Sequence, residues 1–363
     1  MREVLERQYR PRIAPPMSSN HDPTAAPSPP ARARGRELVL GATLALLLVV
    51  GNAAWVAHAR GLMPPPESVP ETDHWRYIEM AAGPRHWAHS PLARHSPYGF
   101  RVLVPIVVYG LTRVGVEMDL AFYLLTNLSL IAALAALYLI LRTLEFDRRL
   151  AILGTALAGL LPGMVRWYEY QYWLTDPACL FLMTLTPLLV LRGRERALPL
   201  LGAIGVAVRE TYLFLVPWYF ARALRLHGAR VALVRTARFA LPQLLVFVAI
   251  RVSIPAIKHS PSIVRLVVRF AHIRAADWPA QLYLVTIGSF GVLFPLLLLP
   301  RARTAPGRRW PVENLALVGC TYASLLIAGS TDRLLAYAAP AVVPAALRGV
   351  QSIAEAGRAW GRC

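Results

Sequence analysis

The chain has 363 residues, of which 56% are hydrophobic and only 16% are charged, and its formal net charge is +19. Its apolar runs are too long and too frequent for the core helices of a soluble protein, so the composition predicts a polytopic, all-α membrane protein. The arginines cluster between the apolar runs, where cytoplasmic loops need them, and Lys258 is the only lysine. Because no aromatic–basic interleaving or nucleic-acid motif accompanies them, they indicate topology and no nucleic-acid partner.

The first segment, residues 1–37, is rich in arginine around a Pro, Ser and Ala tract from Pro15 to Ala31. It holds nothing that could build a core, so it is predicted to be a disordered basic cytoplasmic tail. The apolar run Leu38–Ala57 is about 20 residues long, the length that spans a hydrocarbon core. It is predicted to be an anchor whose arginine-rich start stays inside.

A long loop, residues 58–118, follows the anchor on the outer face. Within it, the apolar stretch Val102–Leu111 is short, and a full crossing there would put every later arginine cluster outside. This stretch is therefore predicted to be a juxtamembrane or re-entrant helix. Because a long loop on one face of a compact helix bundle usually carries function, the first periplasmic loop is the first place to search for a site.

The remaining apolar runs complete about ten spans, counted by length and by the arginines that flank them. This arrangement places both termini in the cytoplasm, with a transmembrane domain over residues 38–348 and a short cytoplasmic tail over residues 349–363. After the anchor, the predicted spans are Leu120–Leu141, Leu150–Val165, Thr175–Leu191, Ala197–Val208, Thr211–Ala221, Phe239–Ile254, Leu282–Leu299, Leu315–Ala328 and Leu334–Leu347.

Ionisable residues that interrupt the apolar runs all fall at the outer face in this topology. In the first loop, Glu71, Asp73, Tyr77 and Glu79 belong to a carboxylate-rich helix start, and Arg101 follows at the membrane interface. An arginine beside a carboxylate suits a phosphate-bearing substrate, because guanidinium pairs with phosphate while the carboxylate accepts a proton. The structural alternatives are a helix cap with solvated charges and an arginine that extends to the interface.

Later outer segments repeat the pattern. An aromatic loop carries Glu169, Tyr172 and Asp176, which suit sugar stacking, although aromatic residues at this depth also form an interfacial belt. Arg209 and Glu210 lie between two short apolar helices, where charges are costly to bury and indicate function unless the two neutralise each other.

Asp332 and Arg333 directly precede the last span, and the structural alternative for Asp332 is a helix cap. Apart from Glu71 and Asp73, whose expected role is catalytic, these outer-face residues are predicted to bind substrate.

Taken in order, these motifs resemble the GT-C membrane glycosyltransferases, a superfamily that includes protein mannosyltransferases and aminoarabinose transferases. The motifs are Glu-Xaa-Asp at 71–73, Tyr-Gly-Phe-Arg-Val-Leu-Val-Pro at 98–105, Leu-Thr-Asp-Pro at 174–177, Val-Arg-Glu at 208–210 and Asp-Arg at 332–333. The resemblance covers roughly residues 38–348, and each motif is short. It implies a GT-C-like helix bundle that transfers a sugar, with inversion, from a polyprenyl-phosphate donor on the periplasmic side.

Carried onto this sequence, the resemblance makes Asp73 the general base, with Glu71 beside it. Arg101, Arg209 and Arg333 are candidates for holding the donor phosphate, because fixed guanidinium groups stabilise the charge that a departing phosphate gains. A divalent cation held by Asp73 with Glu71 or Glu79 is left open. The expected surroundings are the bacterial inner membrane and its lipids, and the acceptor is a lipid, glycan or protein.

Two other classes of protein stay open. A transporter or flippase for a lipid-linked or anionic substrate would also place charges among broken helices, although the sequence has no internal repeat and its charges fall at one rim. A non-catalytic lipid-binding assembly subunit is the second alternative. An ATP-driven pump is disfavoured, because no Gly-Xaa4-Gly-Lys-Ser/Thr motif occurs in the sequence.

Overall fold

The structure, a computed structural model, describes residues 31–68, 73–91, 93–94, 98–161, 163–254, 283, 286–298, 312–325 and 335–360. Every regular element within these ranges is helical, so the predicted all-α class is confirmed for this part of the chain. The helices of the first half are α1 (Ala31–Arg60), α2 (Asp73–Ala81), α3 (Pro84–His89), α4 (Leu103–Arg113), α5 (Met118–Thr143), α6 (Arg148–Gly159) and α7 (Arg166–Tyr170).

The second half continues with short helices and two long ones. They are α8 (Asp176–Leu191), α9 (Leu198–Val208), α10 (Leu215–His227), α11 (Ala229–Ser253), α12 (Leu293–Leu298), α13 (Val312–Leu325) and α14 (Ala339–Trp360). Single 3₁₀ turns occupy Pro66–Ser68, Tyr98–Phe100, Glu195–Ala197, Glu210–Phe214 and Ala336–Ala338.

Three helices are long and apolar enough to cross a membrane: Gly35–Arg60, Met118–Thr143 and Ala229–Ser253. They fall on predicted spans and indicate a membrane protein. The other helices in the described ranges do not combine that length with that composition, so the count of about ten spans stays a prediction.

Several helix ends differ from the predicted spans. Helix α1 begins at Ala31, inside the predicted tail, and α11 begins at Ala229 rather than at Phe239. Helix α14 continues to Trp360, through most of the predicted C-terminal tail. The apolar run marks the part of a helix that suits lipid, whereas alanine and arginine are strong helix formers and extend the helix beyond it.

Helix α5 lies at the centre of the bundle and α11 at its edge. The most apolar window of α5 is 67% buried and packs mainly against α8, whereas that of α11 is only 17% buried. Helix α11 buries a single stripe, Ala232, Thr236, Phe239 and Gln243, against α9 and α10. The opposite face of α11 is therefore open to its surroundings.

Polar contacts gather at the two ends of the helices. Contacts at the starts of α5 and α8 include the bond from Trp173 to Asp119, while the far end of α5 receives the bond from Arg348 to the carbonyl of Leu144. Since the 16 residues of α8 rise about 24 Å, its two ends belong to separate polar layers. The layer at the starts of α5 and α8 contains several of the predicted site residues that the structure describes, among them Arg101, Asp176 and Glu210.

An interruption of the helical conformation after α9 forms part of this polar layer. The backbone of Arg209 is extended, with φ −165° and ψ 138°, so α9 stops at Val208 and a 3₁₀ turn follows. The turn folds Tyr212 back onto Gly205, where an added Cβ would lie 2.4 Å from the tyrosine ring. Because glycine has no Cβ, position 205 permits this close contact, which stabilises the 3₁₀ turn that follows α9.

Candidate functional site

Arg101 and Arg209 lie in two hydrogen-bonded sets of side chains that interact electrostatically, which we together call the paired-arginine cluster: Tyr77, Arg101, Asp176, Arg209, Glu210 and Tyr337. Arg101, which follows the turn Tyr98–Phe100, donates from Nε to Oε2 of Glu210 at 3.0 Å and from Nη2 to Oε1 of the same carboxylate. Its Nη1 donates to the hydroxyl of Tyr77 on α2 at 2.9 Å. The first loop is thereby fixed to the break after α9 through a bidentate ion pair.

The second arginine of the cluster is held by another carboxylate. Arg209 donates from Nη1 to Oδ2 of Asp176, and the hydroxyl of Tyr337 donates to Oδ1 of Asp176 at 3.0 Å. Asp176 is fully buried and Arg209 is 6% exposed. Asp176 lies in the first turn of α8, where a negative charge also interacts favourably with the helix dipole.

Arg209 and Glu210, for which mutual neutralisation was the alternative, do not form an ion pair with each other. Each of the two residues pairs with a different element, Arg209 with Asp176 and Glu210 with Arg101. The extended backbone at residue 209 is the reason, because successive side chains of an extended chain point to opposite sides. Although burial alone would raise the pKa of Glu210, the Arg101 guanidinium lowers it to about 2.

Asp73 lies at the edge of this cluster. Its carboxylate pairs with Arg76 at 3.2 Å and accepts a hydrogen bond from Tyr98. The guanidinium of Arg76 stacks 4.1 Å from the centre of the Tyr98 ring, and that of Arg101 lies 5.0 Å from the same ring. Tyr98 thus joins the predicted base to the predicted phosphate-binding arginine. Burial raises the pKa of Tyr98 to about 12, and Asp73 adds to this, so the phenol keeps its proton.

The predicted aromatic loop packs beside the cluster, with most of its side chains buried. Tyr172 donates to the carbonyl of Pro64 at 3.4 Å, and its ring lies 3.9 Å from that of Trp173. Trp173 also stacks on the buried ring of His74 at 5.1 Å. Burial lowers the pKa of His74, which donates from Nε2 to the carbonyl of Pro66 at 3.0 Å. These contacts tie the first loop to the loop between α7 and α8.

Glu169 is the most unusual group of this loop. It is 1% exposed, and neither carboxylate oxygen has a hydrogen-bond partner. Tyr123 and Asn127 of α5 face the carboxyl and partly offset the effect of burial, but neither reaches it with hydrogen-bond geometry. Burial raises the pKa of Glu169 to about 7. A buried carboxyl of this kind is typical of functional sites.

We expect Glu169→Gln to change how stability depends on pH. The folded protein keeps the Glu169 proton up to about pH 7, whereas the unfolded chain loses it near the ordinary carboxyl pKa of about 4.3. The contribution of Glu169 to wild-type stability should therefore fall as pH rises from about 4.3 to 7, by up to roughly 3 kcal/mol, and then level off. Thermal unfolding of the purified variant in detergent should lack this decline. Equal pH profiles for the two proteins would contradict the assignment.

The structure brings together five of the predicted site residues in the paired-arginine cluster: Tyr77, Arg101, Asp176, Arg209 and Glu210. Asp73 joins them through Tyr98, and Glu169 and Tyr172 lie in the neighbouring loop. Glu79 instead lines a surface cleft with Arg85, His89 and Ser90. Glu71, Asp332 and Arg333 lie outside the described residues.

Sequence reasoning missed several members of the site. Tyr337 and Tyr98 carry no charge, so a search for interrupting charges passed over them, although both stand within five residues of a predicted site residue. Arg251, near the end of α11, was also missed. Its guanidinium stacks on the rings of Phe100 at 4.4 Å and Phe247 at 3.7 Å, and it interacts electrostatically with Glu210 and Arg101.

The positions of the described side chains give no support for a divalent cation held by Asp73 with Glu71 or Glu79. Within the described ranges, no group of three or more His, Cys, Asp or Glu side chains is arranged to hold a metal ion. Of the residues named for that role, Asp73 pairs with Arg76 and Glu79 lines the separate cleft, while Glu71 lies outside these ranges.

Over the residues that the structure describes, the fold is all-helical, three helices could span a membrane, and one buried and one partly buried arginine–carboxylate pair lie at one end of the bundle. Comparison with models of protein families gives no match, and neither does comparison with curated proteins.

Proposed function

We propose that the chain is an inverting glycosyltransferase of the GT-C type, moving a sugar from a polyprenyl-phosphate donor to a lipid, glycan or protein acceptor at the periplasmic face. The observation that carries this proposal is the paired-arginine cluster, in which Arg101 and Arg209 are each fixed by a separate carboxylate at the same end of the bundle. Fixed guanidinium groups stabilise charge that develops on a departing phosphate, because they need not reorganise during the reaction.

The charge balance around the cluster favours an anionic ligand. Glu210 and Asp176 offset Arg101 and Arg209, and Arg251 then adds a further positive charge beside Glu210. Arg251 lies near the end of α11, whose open apolar face includes Leu245 and Val248. An amphiphile with a phosphate head and a hydrocarbon tail matches a positive site at the end of a lipid-facing helix.

Asp73 supplies the base in this scheme. Its carboxylate takes the proton of the acceptor hydroxyl, and the hydroxyl oxygen then forms a bond to the anomeric carbon of the sugar. The bond from that carbon to the phosphate oxygen breaks, and its electron pair leaves with the phosphate toward Arg101 and Arg209. Attack opposite the departing oxygen inverts the anomeric carbon. The Tyr98 hydroxyl, hydrogen-bonded to Asp73, helps to orient the base.

The membrane arrangement that goes with this function has about ten spans in the bacterial inner membrane, with both termini in the cytoplasm. In support, three arginines predicted to be cytoplasmic make their contacts at the end of the bundle away from the cluster. Arg235 pairs with Glu195, Arg225 with Glu313, and Arg348 with the carbonyl of Leu144.

We expect Asp73→Asn to lower transfer by about 100-fold or more, since a positioned base commonly contributes that much. The measurement is mass spectrometry of polyprenyl-phosphate sugars and envelope glycans in cells with the wild-type chain, a deletion or the variant. Deletion and variant should accumulate the same lipid-linked sugar and lose the same glycan. Asp73 is partly exposed, so the variant should still insert at the normal level.

The matched control is Glu117→Gln, which removes an exposed carboxylate near the start of α5. It should leave the glycan profile unchanged. If Asp73→Asn behaves as wild type while the deletion has a phenotype, Asp73 is not the base. A transporter would then be favoured, since the helix break at Arg209 also suits transport.

A further inference from the structure

A basic, apolar surface covers the helical hairpin at the end of the bundle away from the paired-arginine cluster. Helices α10 and α11 meet at Gly228, whose φ of 77° is the left-handed conformation that glycine adopts without strain. Helix α11 begins well before its predicted apolar span, so this extension carries arginine side chains beyond the lipid-facing part of the helix. The surface is thus part of a rigid helix rather than of a loop.

Two exposed arginines share one face of this extension. Arg230, Val234 and Arg238 follow one another at intervals of four residues, so they line the same side of α11. The stripe that α11 buries, which includes Ala232 and Thr236, lies on the opposite side. Eight residues of helix separate the two arginines by about 12 Å along the axis. Both guanidinium groups therefore point away from the bundle.

Two carboxylates near this surface, Glu195 and Glu313, are already engaged by other groups. Glu195 accepts hydrogen bonds from Tyr219 at 2.7 Å and from Arg235 at 3.3 Å. Glu313 is 2% exposed and pairs with Arg225 at 2.7 Å and Arg222 at 3.5 Å. Arg230 and Arg238 therefore add positive charge that these two carboxylates, already paired with other arginines, do not neutralise.

Apolar side chains stand among these arginines. Val234 is 48% exposed and Leu233 is 66% exposed, and the same side of α11 continues into its lipid-facing stretch through Leu241, at 58%. Alternating basic and apolar groups on one helix face suit the boundary between headgroups and acyl chains. Water alone would not favour so much exposed apolar surface on a folded chain.

We propose that the surface formed by Arg230, Leu233, Val234 and Arg238 binds acidic phospholipid headgroups. The arginines pair with the lipid phosphates, and the valine and leucine enter the upper acyl region. This binding is separate from the proposed sugar transfer, because it uses the opposite polar layer of the bundle.

The test titrates the detergent-purified full chain with phosphatidylglycerol or phosphatidylcholine and measures bound lipid by native mass spectrometry. The wild-type chain should bind phosphatidylglycerol more tightly than phosphatidylcholine. Added salt should reduce this difference in affinity. Each arginine near an acidic surface contributes about fivefold, so Arg230→Gln with Arg238→Gln should weaken phosphatidylglycerol binding roughly 30-fold. The double change to lysine should keep most of the binding.

The matched control replaces Arg85 and Arg113 with glutamine, which removes two exposed arginines from the other end of the bundle. Equal binding of the two lipids by wild type would overturn the proposal, as would an equal loss in the control variant. Because the lysine variant retains the charge, its failure to bind would also count against a headgroup site. Glycan transfer in cells should be unchanged in the glutamine variant, which separates this result from the outcome for Asp73.

Discussion

Replacing Arg209 with glutamine is expected to lower the free energy of unfolding by roughly 3–5 kcal/mol. The change removes the guanidinium that pairs with the fully buried carboxylate of Asp176, while the hydrogen bond from Tyr337 is retained. Breaking a buried ion pair by removing one member is costly, because the remaining buried charge loses a strong favourable interaction. Thermal or denaturant unfolding in detergent measures the loss.

The double variant Arg209→Gln with Asp176→Asn distinguishes the cost of losing the ion pair from the cost of leaving one of its charges behind. It replaces the carboxylate by an amide of the same size and the guanidinium by a shorter neutral amide, so no buried charge of the pair remains and we expect most of the lost stability to return. Arg85→Gln, at an exposed site, should change stability by no more than about 0.5 kcal/mol. A double variant as unstable as the single one would show that Arg209 acts through packing rather than through its charge.

Replacing Arg101 with lysine is expected to lower transfer by about 100-fold or more. Lysine keeps the positive charge, but it cannot make the two parallel bonds to Glu210 while also reaching the Tyr77 hydroxyl. The donor phosphate would therefore meet a displaced charge and a poorly oriented Glu210. The measurement is transfer per folded molecule, with lipid-linked sugar as donor and the folded fraction taken from gel filtration.

Arg113→Lys is the control for this variant, because Arg113 is exposed near the end of α4. Its transfer rate should match wild type. If Arg101→Lys lost activity only in proportion to its folded fraction, Arg101 would be a structural anchor between the first loop and the break after α9. The phosphate-binding role would then have to be carried by Arg209 or Arg251.

The sequence predicted which residues lie near one another more accurately than it predicted which of them form ion pairs. Flanking arginines oriented the helices, and that orientation put Arg101, Asp176, Arg209 and Glu210 at one face, where the structure brings them together. The pairs themselves depend on the backbone at residue 209. Its extended conformation turns neighbouring side chains apart, and a pattern of residue types does not contain that information.

The helix limits were predictable only where hydropathy and helix propensity agree. The apolar run of α5 was predicted as Leu120–Leu141 and the helix extends over Met118–Thr143, so the two nearly coincide. In α11 the helix starts at Ala229, in a stretch that arginine and alanine keep helical without making it apolar. Tyr98 and Tyr337 were not predicted as site residues, because an uncharged phenol in an apolar region resembles an ordinary interfacial residue.

The bond between Tyr337 and Asp176 also sets an order of events during synthesis. These partners are 161 residues apart, and the partners Arg101 and Glu210 are 109 apart. The Arg101–Glu210 pair needs only residue 210 to have left the ribosome, whereas the hydrogen bond to Asp176 must wait for residue 337. The bond from Tyr337 is therefore a later contact of this cluster than the Arg101–Glu210 pair.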